Sequence, residues 1–308
     1  VYFKSKVDLT SIGAAQFALK TLEASKLSVQ DTNQSTVVEL HNIGAELIKE
    51  KYEHSDVIEE HQQTIDAVFA QMLEDAAAKK PVLEDDLARE QFRAHLLQLA
   101  SQHLDRYNKL MAWCGEKEAY LAIREEIESI TDATENLGKL ATVENEMSEM
   151  ASTAKVSLLA LGQEILTAKY ETQYSSHVFA TPDEITSREA DVAAKMDALI
   201  ASAAEKKTYL EQCLAREEKK EELRIEFARL STDSERWAQD TAGNLEVAMF
   251  GFTLEEVESY ATELEASEAS TRQTLQEKIT ACTAVWQEMQ AMNFSDNPYT
   301  THNADTLA

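Results

Sequence analysis

Between Asp183 and Met249 apolar or small residues recur at spacings of mostly three, four and seven: Ile185, Val192, Met196, Leu199, Ala203, Leu210 and Cys213, then Leu223, Phe227, Leu230, Trp237, Leu245 and Met249. Spacings of this kind lay one stripe along one face of an α-helix. Neither Gly nor Pro lies between Pro182 and Gly243, so nothing there favours a break. At 1.5 Å per residue, some 60 residues make one helix of roughly 90 Å, too long for a single compact domain. It is predicted to serve two modules in succession. Helix starts are legible in Thr181-Pro182-Asp183-Glu184, a cap with Pro at the first helical position, and in Thr253-Leu254-Glu255-Glu256, which has the form of a capping box.

The helical pattern repeats at long period. AAAKKPVLEDDLARE (Ala76 to Glu90) returns as AAEKKTYLEQCLARE (Ala203 to Glu217), 127 residues on, with ten of fifteen positions identical. GAELIKEKYE (Gly44 to Glu53) returns 118 residues on as GQEILTAKYE, Trp113 returns 124 on as Trp237, and TLEASK at Thr21 returns 242 on as ELEASE at Glu263. These offsets agree, since 118 and 124 make 242, and self-similarity at fixed spacing marks an array of like modules. Ser11, Ile130 and Thr253 align as starts of one helix, and Ser55, Pro182 and Thr301 as the loop entering the next. Each module is therefore predicted to hold three helices, A, B and C, with C running into the A of its successor. The divisions are 1–96 (B and C, with residues 1–10 the tail of an A), 97–220 (a complete module) and 221–308 (A and B, with the start of C). The fold class is all-α: tandem three-helix bundles joined by continuous helices.

Composition strengthens this. Only 7 Gly and 3 Pro occur in 308 residues, and the commonest residue types are strong helix formers. The net charge of −27 is spread evenly, −13 over residues 1–154 and −14 over 155–308. A uniformly acidic surface repels phosphate backbones and anionic lipid, which argues against nucleic acid and membrane partners. Cys114, Cys213 and Cys282 are odd in number and unclustered, which suits unreactive thiols in a reducing cytosol. No apolar run is long enough for a membrane span.

Three segments carry a resemblance to a known family. RYNKLMAWCGEKEAYL (Arg106 to Leu121) and EFARLSTDSERWAQ (Glu226 to Gln239) resemble helix A of the spectrin repeat, with Trp113 and Trp237 at its core Trp position. Met196, Leu199, Lys206, Lys207, Leu210 and Glu211 resemble its helix C, and SDNPYTT (Ser295 to Thr301) is similar to a B–C loop of alpha-actinin. The chain most resembles the rod domain of alpha-actinin. Phe69 and Met196 stand where the family has Trp in helix C, and Pro81 falls inside the first helix C, where a kink or local break is expected. The resemblance implies a structural spacer that forms an antiparallel homodimer and sets the distance between actin-binding ends lying outside this chain, in the cytoplasmic cytoskeleton. The other reading is a monomeric docking segment, as in dystrophin- or plakin-like scaffolds, for signalling or adhesion partners.

Candidate chemistry is sparse. The sequence has no HExxH, Gly-rich phosphate loop, GxSxG or calcium-loop pattern. The seven His lack companion ligands at metal spacing and read as solvent-edge residues. Runs such as Asp85-Asp86 and Glu125-Glu126 read as solvated faces. No enzyme activity, cofactor or metal is expected. Trp113, Trp237, Phe69, Met196 and Leu210 are predicted core anchors. Trp286, which aligns with Gly44 and Gly162, and Phe250 and Phe252 in the last A–B turn are candidate partner contacts.

Overall fold

The long apolar stripe forms one helix. In a computed structural model, which describes residues 2–246 and 251–303, the chain is α-helical apart from one short hairpin. The order is α1 Ile12–Thr32, α2 Val38–Lys49, α3 Ser55–Ala122, α4 Ile130–Met150, α5 Val156–Thr167, β1 Lys169–Glu171, β2 Ser176–Val178, α6 Pro182–Glu246 and α7 Leu254–Ala291. Two compact units result, Val1–Lys117 with Glu146–Leu199, and Glu118–Asn145 with Ile200–Ala308. Helices α3, α4 and α6 each contribute to both.

The repeat offsets are realised in the backbone. α1 and α2 join through a five-residue π-turn at Asn33–Val37, and α4 and α5 through another at Ala151–Lys155, 118 residues on. Each set has segments of 21, 5 and 12 residues, together the 38 that α7 spans without a π-turn. The π-turn adds a residue to its turn, and the buried positions show it. Ala15 to Leu22 and Val37 to Gly44 are seven apart, whereas Leu22 to Val37 is fifteen, one more than two heptads. The three spans also start alike. Ser11 Oγ accepts from Ala14 N, Ser129 Oγ from Asp132 N, and Thr253 forms a full capping box with Glu256.

Three expectations need correction. Pro81 does not break its helix: α3 runs through it from Ser55 to Ala122. The carbonyl deprived of a donor is that of Ala77, an exposed residue, so the missing hydrogen bond falls on the solvent side of the helix and not in the core. Residues 2–4 form a turn and 5–10 are irregular rather than a helical tail. The stretch between α5 and α6, expected as a plain loop, contains the β1–β2 hairpin, with Tyr170 opposite His177. It accounts for the change in offset, because residues 168–181 are nine longer than residues 50–54.

Glycines report where helices approach closely. A Cβ at Gly162 would stand 1.8 Å from Glu189 Oε1, 2.9 Å from its Cδ and 3.1 Å from Ile185 Cγ2, whereas one at Gly138 meets nothing within 4 Å. Gly138→Ala should therefore stabilise by about 0.5–1 kcal/mol through helix propensity. Gly162→Ala should destabilise by about 1–3 kcal/mol through overpacking. Urea denaturation of the two variants checks the opposite signs.

Candidate functional site

The repeated KK…LARE segment lies on α3 and again on α6, and its lysines point inward. Lys79 and Leu83 are buried on α3, as are Lys206 and Leu210, 127 residues on, on α6; the Lys206 side chain has no exposed surface. An ammonium group held out of water needs acceptors close by. Lys79 Nζ donates to Tyr2 O at 2.6 Å, Ser5 O at 3.0 Å and Ser5 Oγ at 3.2 Å, and lies 4.1 Å from the centre of the Tyr2 ring. Lys206 Nζ donates to Ile123 O at 2.8 Å and Tyr120 O at 3.2 Å, pairs with Glu125 Oε1 at 2.7 Å, and lies 4.5 Å from the Tyr120 ring centre. Tyr2 and Tyr120, like Ser5 and Ile123, are 118 residues apart, so the same positions build the same geometry twice. In the second copy the acceptors are the carbonyls of Tyr120, in the last turn of α3, and of Ile123 just beyond it, where the negative end of the helix dipole lies; Tyr120 O also accepts from Ile123 N at 3.2 Å.

About three turns further on, an arginine completes the clamp. Arg89 Nη2 donates to Leu9 O at 2.9 Å and Arg216 Nη2 to Ile127 O at 3.0 Å. Each guanidinium also reaches the next residue, Glu90 or Glu217, both buried. A third cation closes each set: Arg93 pairs with Glu90 at 2.9 Å and Lys220 with Glu217 at 2.9 Å. Segments 2–10 and 120–127 are thus fastened to α3 and α6 by the same lysine and arginine positions; in the first copy Arg93 also donates to Thr10 O. Burial pushes the Lys79 ammonium below its usual value. Burial raises the Glu217 carboxyl, but hydrogen bonds from Lys220 and Arg216 outweigh it and leave the group below its ordinary value.

A second polar node sits on the first copy. Buried Asp85 on α3 accepts from Tyr170 Oη at 2.8 Å, Thr172 Oγ1 at 2.6 Å and Ser175 Oγ, so its carboxylate holds the hairpin. Phe92 lies 5.7 Å from the Tyr170 ring and 6.4 Å from that of His177. Burial pushes the Asp85 carboxyl up, yet the hydroxyls of Ser175, Thr172 and Tyr170, then Arg89, hold it below its usual range. After α7, residues 296–299 dock on α6 in a comparable way. Arg224 pairs with Asp296 at 2.8 Å, Asn297 donates to Arg224 O at 2.8 Å, and Tyr299 bonds Glu221.

Among the residues singled out from sequence, Met196 and Leu210 are buried, while Phe69, Trp113 and Trp237 are half-buried. Lys117 lies 5.7 Å from a Trp113 ring centre and Lys278 5.9 Å from Trp237. Trp286 is half-buried on Phe227, ring centres 5.3 Å apart. Phe252 is fully exposed, and Phe250 lies outside the described residues. No structural feature draws these residues into one site. Two expectations fail: Asp85 is no solvated acid, and His103 is fully buried rather than at the solvent edge. All three cysteines are buried, and none is in a disulfide. The clamp lysines carry a sequence signal, identity between the copies, but nothing in Lys206-Lys207 says which of the two turns inward; Lys207 is exposed and pairs with Glu144.

Among the described residues no group of three or more His, Cys, Asp or Glu is placed to hold a metal ion, and no helix is long and apolar enough to cross a membrane. The sequence matches no family model and no curated protein.

Removing the clamp ammonium takes a donor from Ile123 O and Glu125 and leaves Tyr120 O with Ile123 N alone. Lys206→Met should therefore cost about 2–4 kcal/mol of stability, against less than about 0.5 kcal/mol for the exposed Lys207→Met. Chemical denaturation of the pair measures the difference. Asp85 has a folded-state pKa below its unfolded value, so its contribution is complete above pH ~4 and fades as pH falls through the folded value. Asp85→Asn should remove that part of the acid dependence, as pH-resolved melts of both proteins would show.

Proposed function

We propose that the chain is a structural spacer built of spectrin-type repeats, similar to the rod of alpha-actinin, which pairs with an antiparallel second copy and holds two actin-binding ends at a set distance. The repeats are those expected from sequence, 1–96, 97–220 and 221–308, and the setting is the cytoplasmic cytoskeleton. One observation carries this reading: the helix that closes one copy of the repeat continues as the helix that opens the next, in α3 and again in α6. A junction made of unbroken helix can bend sharply only by giving up backbone hydrogen bonds. Neither a catalytic role nor a cofactor belongs to this reading.

The second reading, a monomeric docking segment, has one observation in its favour. Phe252 and Leu254 at the start of α7 are strongly exposed, which suits a contact with another protein.

Sedimentation equilibrium over a wide concentration range at about physiological salt separates the two. The spacer reading requires a dimer, and dimer formation should bury more than roughly 2,000 Å² in total. A monomer at the highest concentration overturns it. Phe252→Ser should leave stability within about 0.5 kcal/mol, and loss of a captured partner in that variant would support docking.

A further inference from the structure

The core of the second copy contains an ionisable pair that the clamps do not use. His103 on α3 is fully buried, and neither ring nitrogen makes a hydrogen bond. Its Nε2 lies 3.4 Å from Glu189 Oε1 on α6, an oxygen that is also buried without a hydrogen bond. Glu189 occupies this place because residue 162 is glycine, the position where any Cβ on α5 would collide with the carboxylate. The charged groups acting on His103 are Glu189 and Arg188 from α6 and Arg106 from its own helix. Glu164, the one charged residue of α5, is exposed.

The other copies fill this layer differently. In the first, Gly44 faces Gln62, an amide that donates to His41 O at 3.3 Å. In the third, Phe227 and Trp286 stand 124 residues on from His103 and Gly162, ring against ring. The second copy thus has a titratable pair where the first has an amide and the third has aromatic rings. Around it, Leu96 and Leu99 of α3 pack on Leu161 and Ile165 of α5 and Ile185 of α6.

We propose that this layer is an acid-sensitive joint, in which protonation of His103 loosens α3 residues 96–110 from α5 and α6. A second proton on the ring puts a charge inside this apolar core, with Glu189 Oε1 at 3.4 Å its one close acceptor and neither ring nitrogen hydrogen-bonded. Burial is the largest influence on the ring and disfavours its charged form; Glu189 opposes this, Arg188 and Arg106 reinforce it, and the outcome is a value below the ordinary one. A histidine that binds protons less readily folded than unfolded contributes fully above pH ~6.5, and that contribution declines as pH falls below it.

Amide exchange of residues 96–110 in the whole chain at pH 7.5 and 5.5, corrected for intrinsic rates, tests this, with residues 223–230 of the third copy as reference. The opening equilibrium should rise up to about tenfold at pH 5.5 relative to the reference, the limit set by one pH unit below the unfolded pKa. His103→Phe, which installs the residue of the third copy, should remove that excess. His103→Gln, neutral at both pH values, serves the same purpose if the Phe variant does not fold. An equal rise in wild type and variant, or greater protection of the wild type in acid, overturns the proposal.

Discussion

A lysine ammonium buried in a helical core is the constraint around which the first two copies of the repeat are arranged. At Lys79 and Lys206 the charge is tolerable because backbone carbonyls converge on it, from Tyr2 and Ser5 in one copy and from Tyr120 and Ile123 in the other. In the second copy they are the carbonyls of Tyr120, in the last turn of α3, and of Ile123 just beyond it, where helical donors run out. The chain leaving a helix end is thereby held to the next long helix, and Arg89 and Arg216 hold it again further along. A neutral apolar residue could fill the volume but could not direct the path of a connecting segment.

With the connections fixed in this way, differences between copies collect where the clamp does not reach. The nine extra residues between α5 and α6 form a hairpin, not a longer loop, and it is stabilised by sharing three hydroxyl groups with one buried carboxylate. A carboxylate that accepts three hydrogen bonds is satisfied without a cationic partner of its own. Short antiparallel pairs are marginal in isolation, so the hairpin depends on Asp85 and on Phe92 beneath its rings. After α7 the described residues form no hairpin, yet they dock on α6 through Arg224 and Asn297.

Helix spacing is the second variable, set by single residues. Gly44 and Gly162 allow a polar side chain of the next helix to lie against bare backbone, while Trp286 at the corresponding place builds an aromatic contact with Phe227. One position therefore decides whether that layer is polar and titratable or apolar.

The long helices and their phase were legible in sequence, because they rest on periodicity and on internal identity, both properties of the chain taken locally; the helical tail expected over 1–10 was not there. The span from Pro182 and the starts at Ser11 and Thr253 followed from stripe spacing and caps, and the two offsets located equivalent helices before any contact was known. Continuity through Pro81 was not legible, since whether a freed carbonyl can find water depends on which side of the helix faces solvent. Nor were the roles of Lys79, Lys206, Asp85 and His103. A charged residue within an amphipathic pattern lies on either the dry or the wet side of a boundary, and one residue step of about 100° decides which. Only the tertiary structure brought their partners, 74 to 90 residues away in the chain, within hydrogen-bonding or charge-pairing distance, and burial without such partners is too costly to stand.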